Sequence, residues 1–186
     1  MDYKNLTGQI LVAIPNTAHE HYHRGLLLVT SHGRSFSNCI QFNKPILNGL
    51  NIGTIMAHSG LKYSGNDPVY WGGPDEQSKV HFIHTLDWAT ASTRMLNENI
   101  GITTEISILA AISQGLGPIR WRCVIGSKNN KPGFLEGEMS GEYPWTKQHR
   151  WLTVPADPTY IFDKVGDDQW LEAVEAAGKL EVKAWF

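Results

Sequence analysis

Histidine is the residue type in this sequence best suited to chemistry, and three recur at alternate positions: His19, His21 and His23. On a strand, alternate residues share a face, so three imidazoles would converge on one metal ion. On a helix, His19 and His23 stand one turn apart and could bind as a pair. Glu20 is the one carboxylate at a plausible spacing. A solvated polar loop is the simpler reading, so no metal or other cofactor is assigned. His81 and His84 lie in one apolar run, VHFIHT, on opposite faces, which weakens them as a ligand pair. His84 shares its face with Val80 and Phe82 and is expected as a hydrogen-bonded histidine at the core margin. It is also the titratable residue best placed to meet the turn Gly72-Gly73-Pro74, where backbone N–H groups can approach a ligand or another chain closely. Together with Asn43 and Pro45, which end a strand, Gly72, Gly73, Pro74 and His84 form the candidate ligand-binding set. Sites are often built at such strand ends and turns.

No recognised catalytic motif accompanies them. A phosphate loop needs Gly-Lys-Ser/Thr opening a helix, and a dinucleotide fingerprint needs spaced glycines after a strand; neither occurs. Ser31 and Ser35 do not form a Gly-x-Ser-x-Gly elbow. Cys39 and Cys123 have no inferable charged partner that would favour a thiolate. Arg120 and Arg122, followed by Lys128 and Lys131, read as a solvated strand face before they read as a phosphate patch. No catalytic residue is therefore assigned.

Composition narrows the classes. The chain has 186 residues, 41% hydrophobic and 18% charged, with a formal net charge of −2. These values exclude intrinsic disorder. They also argue against a generally basic nucleic-acid binder. No run of about 18 apolar residues is present to span a membrane. Two cysteines in no metal-ligand spacing, and an N-terminus without a basic-then-apolar layout, point to cytoplasmic residence and free thiols. Seven tryptophans are many for this length and are read as packing residues, Trp71, Trp88 and Trp145 at element ends.

The elements that must position these groups follow from apolar patterning and turn residues. Strands are expected at Gln9–Pro15, Gly25–Ser31, Phe36–Phe42, Pro68–Trp71, Val80–Thr85, Arg120–Ile125, Trp151–Val154 and Tyr160–Phe162. Residues 46 to 67 read as a long excursion with one short helix. A helix capped by Thr103 or Thr104 is expected to bury Ile106, Leu109, Ala110, Ser113 and Leu116, and to stop at Gly115 and Gly117-Pro118. Asn129 to Gly133 reads as a turn, and Phe134–Glu142 as a short helix. Asp167–Gly178 is read as the last helix, burying Trp170, Leu171, Val174 and Ala177, with Leu180–Ala184 as an edge strand. Seven or more strands and three or four helices without regular alternation argue for an α+β domain with a mixed sheet, occupying residues 1–186 as one unit.

Several stretches, in order, resemble the YqgE/AlgH family of bacterial proteins. They are Leu6 to Pro15 (LTGQILVAIP), Gly25 to His32, Asn43-Lys44-Pro45, Pro68 to Pro74 (PVYWGGP), Phe82-Ile83-His84, Gly115-x-Gly117-Pro118 and Phe134-Leu135-Glu136-x-Glu138. Trp151-Leu152, Pro155-Ala156-Asp157, Ile161-Phe162-Asp163 and Trp170 close the match. The chain departs from the family where Ser37 to Phe42 lacks its glycines, where Gly126 to Gly133 replaces a Gly-Tyr-x-Gly-Trp loop, and where Asp75 replaces Val after Gly-Gly-Pro. The resemblance implies a mixed, strongly curved sheet flanked by helices and no settled activity. Some relatives carry a transcriptional-regulator label, but no helix-turn-helix signal occurs here. The preferred function is a non-catalytic binding or regulatory protein acting on a protein or small-molecule partner. The alternative is a small-molecule-binding protein or enzyme with its pocket at the Asn43, Gly72-Gly73-Pro74 and His84 turns.

Overall fold

Apolar runs such as Gln9–Ala13 and Leu26–Val29 lack the usual in–out alternation because both faces of the sheet they form are covered. In the computed structural model, which describes residues 4–17, 19–141 and 151–184, Ile10 and Val12 enter one core while Leu11 and Ala13 enter another. Nine strands are described: β1 (Gln9–Ala13), β2 (Leu26–His32), β3 (Ser37–Gln41), β4 (Val69–Trp71), β5 (Asp75–Thr85), β6 (Arg94–Met95), β7 (Ile100–Thr103), β8 (Trp121–Asn130) and β9 (Trp151–Pro155). Four α-helices accompany them: α1 (Ile52–His58), α2 (Ser107–Ser113), α3 (Phe134–Ser140) and α4 (Gly166–Lys183). The strands form one sheet in the order β6-β7-β5-β8-β3-β2-β1-β9, with β4 also bonded to β8. All pairings are antiparallel except the parallel β4–β8 pair, so the sheet is mixed. It curls into a half-barrel, giving a single α+β domain.

The inner face of the half-barrel is filled by Ile10, Leu28, Ile40, Phe42, Ile83 and Val124, and α4 plugs it through Trp170, Ala173 and Ala177. The Trp170 indole N–H donates to the Ala13 carbonyl at 2.8 Å, so the ring's one polar atom is satisfied as it is buried. On the outer face, α3 covers β1 to β3 around Trp151, while α1 and α2 cover Val69, Phe82 and Cys123.

One backbone crossing organises this sheet. Strand β4 lies on one side of β8 and β5 on the other, so residues 72–74 must pass over β8. A Cβ on Gly72 would stand 2.1 Å from the Gly126 carbonyl oxygen, and one on Gly73 would stand 2.2 Å from that of Ser127. Gly73 (φ 151°) and Gly126 (φ 85°) also adopt conformations that suit glycine. The Gly-Gly-Pro turn is therefore a place where two main chains touch.

Buried charges are paired. The Arg122 guanidinium donates to the Phe42 carbonyl (2.8 Å), the Lys164 carbonyl (2.8 Å) and Gln169 Oε1 (3.3 Å), and stacks on Tyr70. Lys128 Nζ pairs with Glu138 Oε2 at 3.1 Å, and the same oxygen accepts the Trp151 indole N–H at 2.9 Å. The expected solvated basic face at Arg122 and Lys128 is thus replaced by interior networks.

Other expectations are also corrected. Tyr160–Phe162 lies in a π-helical turn, Thr159–Asp163, and the expected edge strand at 180–184 continues α4 to Lys183. Asn129 remains in β8, and β6 and β7 have no expected counterpart. The N-cap of α2 is Ile106 without a side-chain cap, and Ile106 and Leu116 are exposed while Ile108 and Leu109 are buried. In α4, Leu171 is exposed and Gln169 and Ala173 take buried places. Glu142 and Trp145 lie outside the described residues.

Gly73→Ala is expected to lose more than about 3 kcal/mol in urea denaturation, since both the contact and the conformation oppose a side chain. Gly178→Ala, inside α4 with open space at its Cβ, is expected to gain roughly 0.5–1 kcal/mol. Equal, small effects at both positions would refute the crossing as a tight contact.

Candidate functional site

A cleft of about 470 Å³ opens at one rim of the half-barrel, where β2, β7 and β8 end and β3 and β5 begin. Asn38 and Asn129 line it and are joined in a polar strip that continues to Thr30. Thr30 Oγ1 donates to the Asn38 carbonyl at 3.1 Å, and Asn38 Nδ2 donates to Asn129 Oδ1 at 2.6 Å. The crossing delivers the next two residues to this rim. Asp75 Oδ2 accepts the Asn129 N–H at 2.8 Å, and Glu76 Oε2 accepts the Ser127 hydroxyl at 2.9 Å. Glu76 is one of two non-glycine residues described with positive φ, at 48°. Strain of this kind, of order 1–3 kcal/mol, persists where surrounding contacts over-determine it. Glu76 Oε1 also takes a hydrogen bond from Lys79 Nζ at 3.2 Å. The Ser127 and Lys79 hydrogen bonds hold its carboxyl below the usual range.

His81 forms one wall. Its parity on β5 puts it on the inner face beside Ile83, opposite Val124 of β8. It is only 6% exposed, and its Nε2 meets no hydrogen-bond partner among the described residues. Burial first, then the positive charges of Lys79 and Arg94 against the opposing Glu76, lower its pKa to about 4. The imidazole is therefore neutral near pH 7. Arg94, carried by the two-residue strand β6, also lines the cleft, and among the described residues it has no ion-pair or hydrogen-bond partner. Phe36 and Ile102 supply apolar surface; Ser31, Ser92, Thr103 and Thr104 supply hydroxyls.

The residues expected from sequence to share one pocket are only partly brought together. Main-chain bonds from Gln41 N to the Gly72 carbonyl and from Trp71 N to the Lys44 carbonyl, both 2.9 Å, lay the Asn43–Pro45 turn beside the glycine turn. The Asn43 carboxamide is spent on the backbone: it accepts from Leu26 N at 2.9 Å and donates to the Arg24 carbonyl at 2.8 Å. Asn43 and Pro45 line a separate cleft of about 410 Å³ with Arg24, Lys44 and Asp167, where Arg24 and Asp167 form an ion pair.

His84 stands apart. It pairs with Trp121 of β8, whereas Gly72 bonds Ile125, and those positions are about 13 Å apart at roughly 3.3 Å per residue. His84 is fully buried, with Nδ1 2.9 Å from the Thr85 carbonyl and its ring edge-on to Trp88. The six residues do not form one pocket. Gly72, Gly73 and Pro74 act by positioning Asp75 and Glu76.

The histidine triplet is neither strand nor α-helix but flanks and fills a 3₁₀ turn, Glu20–Tyr22. The His19 and His21 rings pack with Tyr22 and Trp71, while His23 Nδ1 lies 3.3 Å from the Thr17 carbonyl. Among the described residues, no three His, Cys, Asp or Glu side chains are grouped to hold a metal ion. Both thiols are free and buried, and burial pushes each up to about 12. His81, Arg94 and Lys79 were missed as a site because the bulge between Asp75 and Val80 and the short β6 carry no clear apolar pattern. The one available signal was His81 in an apolar run.

Residues 10–180 match the DUF179 family, described as AlgH-like, and the chain belongs to that family. Among curated relatives, a UPF0301 protein of Methylococcus capsulatus is 30% identical over 178 residues, covering 95% of this chain and 93% of the relative. A UPF0301 protein of Sphingopyxis alaskensis is 29% identical over 174 residues, covering 92% and 89% respectively. The solution structure of the AlgH protein from Pseudomonas aeruginosa superposes with a TM-score of 0.72 at 25% identity, covering 95% of this chain and 92% of that one. A crystal structure from Corynebacterium diphtheriae, at TM-score 0.69 and 18% identity over 91% of this chain and 86% of that one, shares the fold.

Because the folded-state pKa of His81 lies below its free value of about 6.5, the unfolded chain binds its proton first. Stability is present above about pH 6.5 and is lost as pH falls toward 4, by up to about 3 kcal/mol. Urea midpoints for His81→Gln are expected to fall less between pH 7 and pH 4 than those of the parent. An unchanged acid slope would show that His81 is not buried in its neutral form.

Proposed function

We propose that this AlgH-like protein is a non-catalytic binding protein that captures a small molecule in the rim cleft and acts as a regulator through its occupancy. The observation that carries this reading is a buried imidazole nitrogen in the wall of a cleft that also holds an exposed guanidinium, neither with a partner among the described residues. Buried polar groups are ordinarily satisfied; of the buried side-chain atoms without a described partner, which include His84 Nε2 and the Gln41 carboxamide, only that of His81 belongs to a residue lining this cleft. The cleft volume falls within the range of small-molecule sites, roughly 300–1,000 Å³.

An enzyme using the same cleft is the second reading, and His81 is the residue that could support it as a general base. A base works best with a pKa near the operating pH. At about 4, His81 is a weak one. Neither buried thiol can serve as a nucleophile at neutral pH. We place the protein in the cytoplasm, because two free cysteines suit a reducing compartment. No helix among the described residues is long and apolar enough to cross a membrane. Nucleic acid is not the proposed partner: the net charge of −2 gives no general attraction to phosphates.

The test is a panel of nucleotides, organic acids, amino acids and sugar phosphates, read by thermal shift and by amide chemical shifts of the full chain. At least one class is expected to raise the melting temperature and to move Asn38, Lys79, His81, Arg94 and Asn129 saturably, without turnover. Turnover of that compound would favour the enzyme. A panel that moves none of these residues would overturn the cleft as the binding site.

A further inference from the structure

We propose that the rim cleft takes an oxyanion: a small molecule whose carboxylate or phosphate is held by the Arg94 guanidinium, with Lys79 and the His81 imidazole beside it. The inference rests on the cleft being the binding site and adds the chemistry of what it binds.

The charges of the cleft point one way. Arg94, Lys79 and Glu76 are its ionic groups, with His81 neutral. Glu76 is already engaged at both oxygens, by Ser127 and by Lys79. Asp75 is spent on the Asn129 N–H. The Arg94 guanidinium alone of these groups has no ion pair or hydrogen bond among the described residues. A guanidinium presents a planar fork of N–H donors that matches carboxylate and phosphate oxygens in pairs.

His81 is the independent observation. Its side chain is more than nine-tenths buried on the cleft wall, with Nε2 lacking any described partner. In its Nε2–H tautomer it donates, and an oxyanion would complete it. The hydroxyls of Ser92 and Thr103, 3.3 Å apart, line the same cleft. Phe36, half exposed, and Ile102 provide an apolar wall for the carbon skeleton. A metal cation finds no comparable set, since no acidic or histidine group of three is present among the described residues.

The experiment titrates sodium sulfate, inorganic phosphate and succinate into the full chain at constant ionic strength set with chloride, read by amide chemical shifts. The proteins are the parent, Arg94→Gln, Lys79→Gln and Glu76→Gln. All three anions are expected to move Lys79, His81 and Arg94 saturably, and the tighter of phosphate and succinate identifies the headgroup. Arg94→Gln should weaken binding at least tenfold, with Lys79→Gln as a second variant should the first perturb the fold. Glu76→Gln should tighten it severalfold, because a like charge is removed. Anions that give no saturable shift at the rim, or an Arg94→Gln protein with unchanged affinity, overturn the proposal. If a neutral compound from the panel then saturates the rim in parent and Arg94→Gln alike, the cleft stands and the oxyanion falls. If no compound of either kind reaches the rim, both fall.

Discussion

The passage of residues 72–74 over β8 is the contact on which the rest depends. It is a main-chain to main-chain approach, held by the Gly72 N–H on the Ile125 carbonyl at 2.7 Å. Any side chain on Gly72, Gly73 or Gly126 would enter a carbonyl oxygen. Without the crossing, β4 and β5 could not flank the same half of β8. The sheet would lose the strand pairing that splits its outer cover into separate α1–α2 and α3 clusters. The crossing also sets the polar rim. Pro74 follows immediately, and the chain then turns through Glu76 in a left-handed conformation before regular pairing resumes at Val80. The four residues between those pairs, 76–79, are therefore placed by backbone geometry before their side chains contribute anything.

Much of this architecture was legible in the sequence, because its signal is apolar periodicity bounded by turn residues. Strands β1 to β4, the core of β5, β8 and β9, and the helices α1, α3 and α4 were all expected near where they stand. What failed is instructive in kind. Tyr160–Phe162 is aromatic and β-branched, as a strand would be, yet Ile161 reaches the inner core from a π-helical turn. Leu180 to Ala184 alternates as an edge strand would, but nothing pairs it there, and α4 continues because Gly178 costs only about 1 kcal/mol in a helix. Strand β6 has two residues, too few for any period to show.

The site was less legible for the same reason. His84 sits near the end of a well-patterned run and proves to be a core residue. His81, three positions earlier in the same run, follows directly on the irregular stretch before Val80, and the structure puts it in a cleft wall. The Gly72-Gly73-Pro74 motif reads as a place where a ligand or another chain comes close, since close backbone approach is what glycine permits. The approaching group is the chain's own β8, a possibility that no local pattern distinguishes from a ligand. Long-range partners such as the pairing of Asp75 with Asn129 are invisible to any window along the sequence.

Burial of charge separates the structural polar groups of this domain from the candidate functional ones. Arg122 and Lys128 lie deeper than Arg94, and both are satisfied: one by two carbonyls, an amide and the Tyr70 ring, the other by Glu138 and Asn130. His32 is equally settled, since its Nδ1 accepts the Leu6 N–H at 3.0 Å, which fixes the neutral tautomer so that Nε2 donates to Glu136. At the rim, an exposed guanidinium and a buried imidazole nitrogen, neither with a partner among the described residues, occur within one cleft, and an oxygen acceptor would suit both. The carboxylates of Asp75 and Glu76 are turned to Asn129, Ser127 and Lys79, and that of Glu105 to Ser107, so on the proposed reading the acceptor comes from outside the chain.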